Sequence, residues 1–515
     1  MGPTRPAAIG LAPARQTLAF PRASRLRLHA TVAGDIASMR YRLPPVPKSA
    51  GTGTTGDKMK LTSLELMRVR TGDRLERLPV CGYHRLLFAI IALAFFFDNL
   101  DLAMMTYLLG SIRTEFGLTA AQAGMLGSAS FVGMATGAIS SGVLADKFGR
   151  KPVFQVSMII WGVGSYLCST ANGPMELGAY RLLLGLGMGM ELPLAQTLMS
   201  EFIPARQRGK YLALMDGNWP IAFICAGLMS YYVLSAYTWR TMFLLGAVPA
   251  LFLIVVRRFV PESPRWLESQ GRHAEAADIV DRIEQSVMRR MKLDALPEVT
   301  PAAAAAEPAT SGLRVLWSRE YRSRTLTVWG LWFFALLGFY GLNTWIGALL
   351  QQSGLGVTKS VLYTVYISIG GIPGFLWAAW AVERWGRKPA CVATLVGGAC
   401  MVFIYGRVAG SSPDPMALFL SGGMMQFFMF GMWAVLYTYT PELYPTRARA
   451  SGCGMASTVG RIGSLLGPAL VGLVLPVAGQ AGVFCLGALC FLAAAGIVFR
   501  FGIETRGRAL ETIAD

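Results

Sequence analysis

At 515 residues, with 54% hydrophobic and only 15% charged residues and a mean hydropathy of +0.47, the chain is too apolar for a soluble enzyme and reads as a polytopic membrane protein. A formal net charge of +18 would suit a nucleic-acid binder, but the distribution of that charge excludes one. The basic residues gather in the N-terminal segment and in every second loop between apolar runs: Lys147, Arg150 and Lys151; Arg206, Arg208 and Lys210; Arg257, Arg258 and Arg265; Arg384, Arg387 and Lys388; Arg447 and Arg449. The intervening loops carry few, such as Arg113, Arg240, Lys359 and Arg407. This asymmetry predicts a multi-pass protein of a cell membrane, a bacterial inner membrane, with the lipid bilayer around it and both termini in the cytoplasm.

In chain order, residues 1–80 are basic and rich in Pro, Ala and Gly, and are expected to be a mostly disordered cytoplasmic segment. Met59-Lys60-Leu61 offers an alternative start, and no cleavable signal sequence is evident. Twelve apolar spans follow, at roughly 86–110, 120–144, 152–170, 176–200, 209–235, 240–259, 325–350, 357–381, 389–408, 415–440, 450–475 and 480–502. They predict an N-terminal six-helix bundle over 81–260, a cytoplasmic linker with short helices over 261–324, a C-terminal six-helix bundle over 325–502 and a cytoplasmic tail over 503–515. Within the linker, Ala274 to Lys292 has helical periodicity with charged faces, and Leu296 to Gly312 is Pro/Ala-rich. The fold class expected is an all-α membrane protein, with twelve transmembrane helices in two pseudo-symmetric six-helix bundles.

The halves repeat. Gly142 to Pro152 after span two matches Ala379 to Pro389 after span eight, Asp146 falling 237 residues before Glu383. Glu201 with Arg208 after span four matches Glu442 with Arg449 after span ten, at an offset of 241. Glu262-Ser263 and Glu504-Thr505 follow spans six and twelve, 242 apart. Three paired loops at one near-constant offset imply two parallel repeats with a substrate path between them.

These loops resemble the signature of the major facilitator superfamily, in particular Gly142-x-x-x-Asp146-x-x-Gly149-Arg150-Lys151. Pro261-Glu262-Ser263-Pro264-Arg265-Trp266-Leu267 and Arg181-x-x-x-Gly185-x-Gly187-x-Gly189 resemble its sugar-porter and organic-ion branch. Sugar porters carry a Gln-Gln-x-x-Gly-x-Asn run in helix seven, whereas this chain has Gly338-Phe339-Tyr340-Gly341-Leu342-Asn343, and Ile503 stands where they have Pro before Glu-Thr. Phe97-Asp98-x-x-Asp101 in helix one resembles aromatic-acid/proton symporters, and Leu78-Pro79, Tyr83-His84-Arg85, Glu191-Leu192-Pro193 and Trp219 resemble niacin permeases. The resemblance implies a proton-coupled carrier of small organic anions such as nicotinate. A sugar or other organic ion, and a membrane sensor that binds ligand without transport, stand as alternatives.

Carboxylates inside a span cost at least about 2.5 kcal/mol each and point to use. No histidine is predicted within a span (His29, His84 and His273 all fall outside), so Asp98 and Asp101 lead the candidates for the proton carrier, with Asp216 and Glu191 behind them. Asp101 as a structural hydrogen-bonding acid is the alternative. Arg461 lies twelve residues beyond Arg449, about 18 Å into span eleven. A guanidinium there needs a carboxylate, either the substrate's or a permanent protein partner. Adding 242 maps Asp98 onto Tyr340, Asp101 onto Asn343 and Trp219 onto Arg461. Trp219, Tyr340, Asn343 and Trp345 are therefore expected to wall a midplane pocket with Arg461. Asp146, Arg150, Glu201, Arg208, Glu383, Arg387, Glu442 and Arg449 are expected to form a cytoplasmic gate of ion pairs. Arg181 is expected in a structural hydrogen bond. The eight cysteines read as small apolar packing residues. With no catalytic constellation, metal spacing or nucleotide loop, no enzyme activity, metal or cofactor is expected, and the protein is expected to act as a monomer.

Overall fold

A computed structural model describes residues 71–299, 312–410 and 414–506 of the chain. The basic leader over 1–70, part of the Pro/Ala-rich linker and the tail from 507 onward lie outside the described residues. The described residues form helices and no strands. A short helix, α1 (Thr71–Glu76), precedes α2 (Gly82–Glu115), α3 (Ala120–Phe148), α4 (Arg150–Thr170) and α5 (Pro174–Phe202), which are spans one to four. Span five is α6 (Ala205–Asp216) with α7 (Asn218–Ala236). Span six is α8 (Trp239–Ala247), a 3₁₀ turn and α9 (Leu253–Phe259). Two linker helices follow, α10 (Pro264–Ser269) and α11 (His273–Met291), then the short α12 (Gly312–Leu316). Span seven is α13 (Arg322–Gln352), and span eight is α14 (Val357–Ile369) with α15 (Gly371–Trp385). Spans nine and ten are α16 (Arg387–Gly410) and α17 (Pro415–Glu442).

The last helical stretch, α18 (Thr446–Phe501), is continuous in hydrogen bonding but has a non-helical residue, Gly479, at φ 63°. Its apolar part, Ser451–Phe501, is 51 residues long, about 77 Å at 1.5 Å per residue and so more than two bilayer cores. It crosses twice, turning at Gly479. With the ten preceding spans this makes twelve crossings among the described residues of an all-α membrane protein.

Two spans break in mid-course for a local reason. Pro220 and Pro373 have no backbone N–H, so the carbonyls of Asp216 and Ile369 lose their partners four residues on. Glycines at 217 and 370 take the breaks. In span five the break lies between Asp216 and Trp219, and the Asn218 amide donates to the Ala92 carbonyl of α2 (2.9 Å) to fix it.

The two halves meet tightly at the end away from the basic loops. A Cβ on Gly124 of α3 would stand 2.5 Å from the Pro468 carbonyl oxygen of α18, and one on Gly472 would strike the Ala120 carbonyl. Ser128 donates across the same seam to Leu465 O at 2.6 Å. At the basic end the ion pairs instead join elements of one half. Arg150 meets Asp146 (2.9 Å) and Glu201 (3.4 Å); Arg387 meets Glu383 (3.2 Å) and Glu442 (3.0 Å).

The repeat is visible atom by atom at this end. Glu262 accepts from the backbone N–H groups of Arg150 and Lys151 (3.0 and 3.2 Å). Glu504 accepts from those of Arg387 and Lys388 (both 3.0 Å). Each carboxylate caps the start of a span, where orphan donors and the helix dipole favour an anion. Gly149 and Gly386, at φ 102° and 108°, turn the chain into those caps, and a side chain on either would collide with its glutamate.

Residues 71–80, placed by sequence in the basic leader, begin with α1, which is strapped to the N-terminal half. Arg74 meets Asp281 (2.5 Å) and Glu284 (2.7 Å), and Arg77 meets Glu284 (2.8 Å). Glu76 binds Arg208 (2.5 Å) and Arg265 (2.7 Å) and caps the Ala205 N–H. Helix α11 answers with an apolar stripe, Ala276, Val280, Ile283 and Val287, buried beneath its charged face.

Candidate functional site

The centre of the molecule is an aromatic cluster in which both halves take part. Trp219 of α7 stacks on Phe223 (5.9 Å between ring centres) and meets Phe339 (6.1 Å), Tyr340 (6.4 Å) and Phe430 (6.2 Å) of the other half edge-on. Phe131 of α3 meets Tyr340 at 4.8 Å. Among these rings lies a cavity of about 10 Å³, room for one water, lined by Trp219, Tyr340, Asn343, Arg181 and their neighbours. Of the residues expected to wall a pocket, Trp219, Tyr340 and Asn343 come together. Trp345 stands apart, buried between helices with its indole donating to Pro468 O at 3.0 Å. Asn343 is held from both sides: its amide donates to Phe339 O (3.1 Å), and Gln426 donates to its carbonyl (2.8 Å).

Arg461 lies at the edge of this cluster, 9% exposed. Tyr340, Tyr437 and Asp98 are in electrostatic reach of its guanidinium, but among the described residues it makes no hydrogen bond or ion pair. A permanent salt bridge, the alternative to substrate binding, is therefore not formed in this conformation. Burying an unpaired cation is costly, so the site is set for an anion.

The acids fall into two layers. Asp98 of α2 and Glu191 of α5 form one, within electrostatic reach of each other and buried to 2% and 0% exposure. Both Glu191 oxygens and Asp98 Oδ1 lack any partner among the described residues. Asp101, one turn on, forms the other layer. Its Oδ2 accepts from Trp161 Nε1 at 2.7 Å, and Arg181 lies in electrostatic reach. Arg181 itself donates through Nε to Leu126 O (3.1 Å), the structural bond expected, but it also lines the cavity. Asp216 ends α6 beside Gln196 and reaches Tyr437 electrostatically. His84, outside the spans by sequence, falls in the first turn of α2 and is fully buried.

The gate residues sort differently from their sequence pairing. Arg208 pairs with Glu76 and not with Glu201, and Arg449 donates to Pro441 O (3.0 Å). The helix starts are capped by Glu262 and Glu504, while Asp146 and Glu383 stay largely in solvent. Glu262 and Glu504 had a sequence signal, their repeat offset, but were assigned no role. Phe430, Trp433 and Tyr437 also join the central cluster. Their i, i+3, i+7 spacing was hidden in a span where Phe427, Phe428 and Tyr439 are aromatic too.

Residues 86–515 match the family model "Sugar (and other) transporter". The chain is similar to the niacin transporter NiaP of Acinetobacter baylyi, 37% identical over 86% of this chain and 99% of that one. It is similar to the 4-hydroxybenzoate transporter PcaK of the same organism, 28% identical over 84% and 92%. Its fold is similar to that of the xylose transporter XylE from E. coli in a partially occluded inward-open conformation, with TM-score 0.66 and 20% identity over 83% of this chain and all of the other. The chain thus belongs to the sugar (and other) transporter family of the major facilitator superfamily and is a membrane transporter, not an enzyme.

Proposed function

We propose that the protein imports small aromatic carboxylates, nicotinate foremost, by proton-coupled alternating access. The observation that carries this reading is Arg461: a cation nine-tenths buried among aromatic rings, with no hydrogen-bond partner among the described residues. Guanidinium matches a carboxylate bidentately, and the surrounding rings match a flat apolar body. The names of the niacin and 4-hydroxybenzoate transporters among its relatives support the same substrate class.

The basic loops favour a cytoplasmic position for their end in a bacterial inner membrane, which makes the tight seam at Gly124, Ser128 and Gly472 the outer closure in this reading. The cavity has room for one water only, so a ring-sized substrate enters as Trp219, Phe339 and Phe430 move apart. The substrate carboxylate then draws Arg461 away from Asp98. Losing that cation favours the protonated form of the acid, which couples substrate to proton. Asp98 and Glu191 fit this task better than Asp101, one oxygen of which (Oδ2) is engaged by Trp161 while Oδ1 lacks a partner among the described residues. Asp216, beside Gln196 and in reach of Tyr437, would take the proton on its way to the cytoplasm. The ion pairs of Arg150 and Arg387, rearranging as the basic ends approach, would form the gate, with Glu201, Glu442, Arg208 and Arg449 at its edges.

The test is uptake of labelled nicotinate, 4-hydroxybenzoate and glucose by cells producing the protein, with and without an uncoupler. Nicotinate uptake that collapses with the uncoupler is expected. A sugar has in its favour the Asn343–Gln426 amide pair, which suits hydroxyls, and uptake of glucose alone would overturn the aromatic-acid reading.

A further inference from the structure

The indole N–H groups of the buried tryptophans are nearly all used. Trp161 donates to Asp101 (2.7 Å), Trp239 to Glu115 (2.5 Å), Trp266 to Asp146 O (2.9 Å), Trp332 to Thr440 (2.8 Å) and Trp345 to Pro468 O (3.0 Å). Two buried indole N–H groups have no partner among the described residues, those of Trp329 and Trp433. Trp329 lies near the basic start of α13 against the exposed ring of Trp317 (5.4 Å), away from the path. Trp433 is different.

Phe430, Trp433 and Tyr437 lie at i, i+3 and i+7 on α17, so they share one helix face. Both flanking members reach the N-terminal half: Phe430 meets Trp219 at 6.2 Å, and Tyr437 lies in electrostatic reach of Asp216. That face therefore looks onto the central path. Trp433 packs against Phe339 (5.3 Å) and Tyr340 (6.2 Å), which line the cavity, and stacks on Tyr437 (5.6 Å), a neighbour of Arg461. At 7% exposure its donor is shielded from bulk water. A buried donor left unmade is unfavourable, and a completed bond there rewards only a ligand that brings an acceptor.

We infer that Trp433 is a specificity-determining residue: its indole N–H donates to the ring nitrogen of a heteroaromatic acid whose carboxylate is held by Arg461. The assignment rests on the aromatic-carboxylate reading above and goes further, because it separates pyridine carboxylates from benzoates. The two have the same anionic group and nearly the same shape. They differ at the lone pair that an N–H can meet.

The experiment is uptake of labelled nicotinate in proteoliposomes, with unlabelled nicotinate and benzoate as competitors, in wild type and in Trp433→Phe. In wild type, benzoate is expected to compete five- to tenfold more weakly than nicotinate, the worth of roughly one hydrogen bond. In Trp433→Phe the KM for nicotinate is expected to rise by the same factor while benzoate inhibition is unchanged, so the preference disappears. A purely structural role for the ring would lower transport of both acids together and leave their ratio intact, which would overturn the assignment. Equal competition in wild type would overturn it without any variant. A wild-type protein that carries neither acid contradicts the aromatic-carboxylate reading itself, whereas one that carries both alike contradicts only the role of the indole.

Discussion

The basic end of the molecule and its centre are built on opposite plans. At the basic end the two repeats do the same thing twice: an arginine pairs with two acids, and a distant glutamate caps the next helix through two backbone N–H groups. Arg150 and Arg387 have their acids and Glu262 and Glu504 their helix starts, each arrangement matched in the other half. At the centre the repeats diverge. Asp98 has Tyr340 as its repeat mate and Trp219 has Arg461, so the four buried acids lie in one half and Arg461 in the other. There several charges lack partners: Arg461, Glu191 and Oδ1 of Asp98 make no hydrogen bond among the described residues. Symmetry with satisfied groups marks the part that both halves need in order to rock against each other. In the proposed function, asymmetry with unsatisfied groups marks the part that would meet substrate and proton.

If this contrast is correct, central substitutions should abolish function outright, and peripheral ones should act mildly and in pairs. Arg461→Ala is expected to lower kcat/KM for nicotinate by roughly a hundredfold, about 2.7 kcal/mol, with Arg461→Lys only partly restoring it because the ammonium cannot bind bidentately. Uptake kinetics in proteoliposomes measures both. Asp98→Asn and Glu191→Gln should lose accumulation driven by a pH gradient yet keep exchange of labelled for unlabelled substrate. Asp101→Asn, which keeps an acceptor for Trp161, should lose much less. Glu262→Gln and Glu504→Gln should each slow transport only a few-fold and to a similar extent; a large effect from one alone would break the symmetry argument.

The smallest effect concerns the strap formed by α1. Burial works against ionisation of Glu76, but the Ala205 N–H and the guanidiniums of Arg265 and Arg208 outweigh it and hold the carboxyl below its ordinary value of 4.5. An acid with a depressed pKa contributes stability fully above its ordinary value and loses it as pH falls through the folded one. Protease cleavage between α1 and α2 should therefore be slow at pH 7 and increase only below about pH 4.5, and Glu76→Gln should raise it at pH 7.

Much of the architecture was legible in the sequence because hydropathy and loop charge are local signals. The twelve spans follow from them, and the repeat offset pointed to the twin networks before any geometry was known. Partner choice was not legible. Arg208 and Glu201 lie close in sequence, yet Arg208 turns to Glu76 from a segment read as disordered leader, where six helical residues among Arg and Pro leave little periodicity. Trp345 was grouped with the pocket because it shares a helix with Tyr340 and Asn343, but five residues on from Tyr340 it points to α18 instead. The Asp98 and Asp101 pair was legible as two costly acids. Only the packing of α4 and α5 against α2 separates them, giving Trp161 to Asp101 and Glu191 to Asp98.

The most direct test of the central claim is nicotinate accumulation in proteoliposomes under an imposed inward proton gradient, comparing wild type with Arg461→Ala. The account predicts uphill accumulation in wild type, abolished by an uncoupler, and none in the variant. Accumulation by Arg461→Ala at the wild-type level would contradict it.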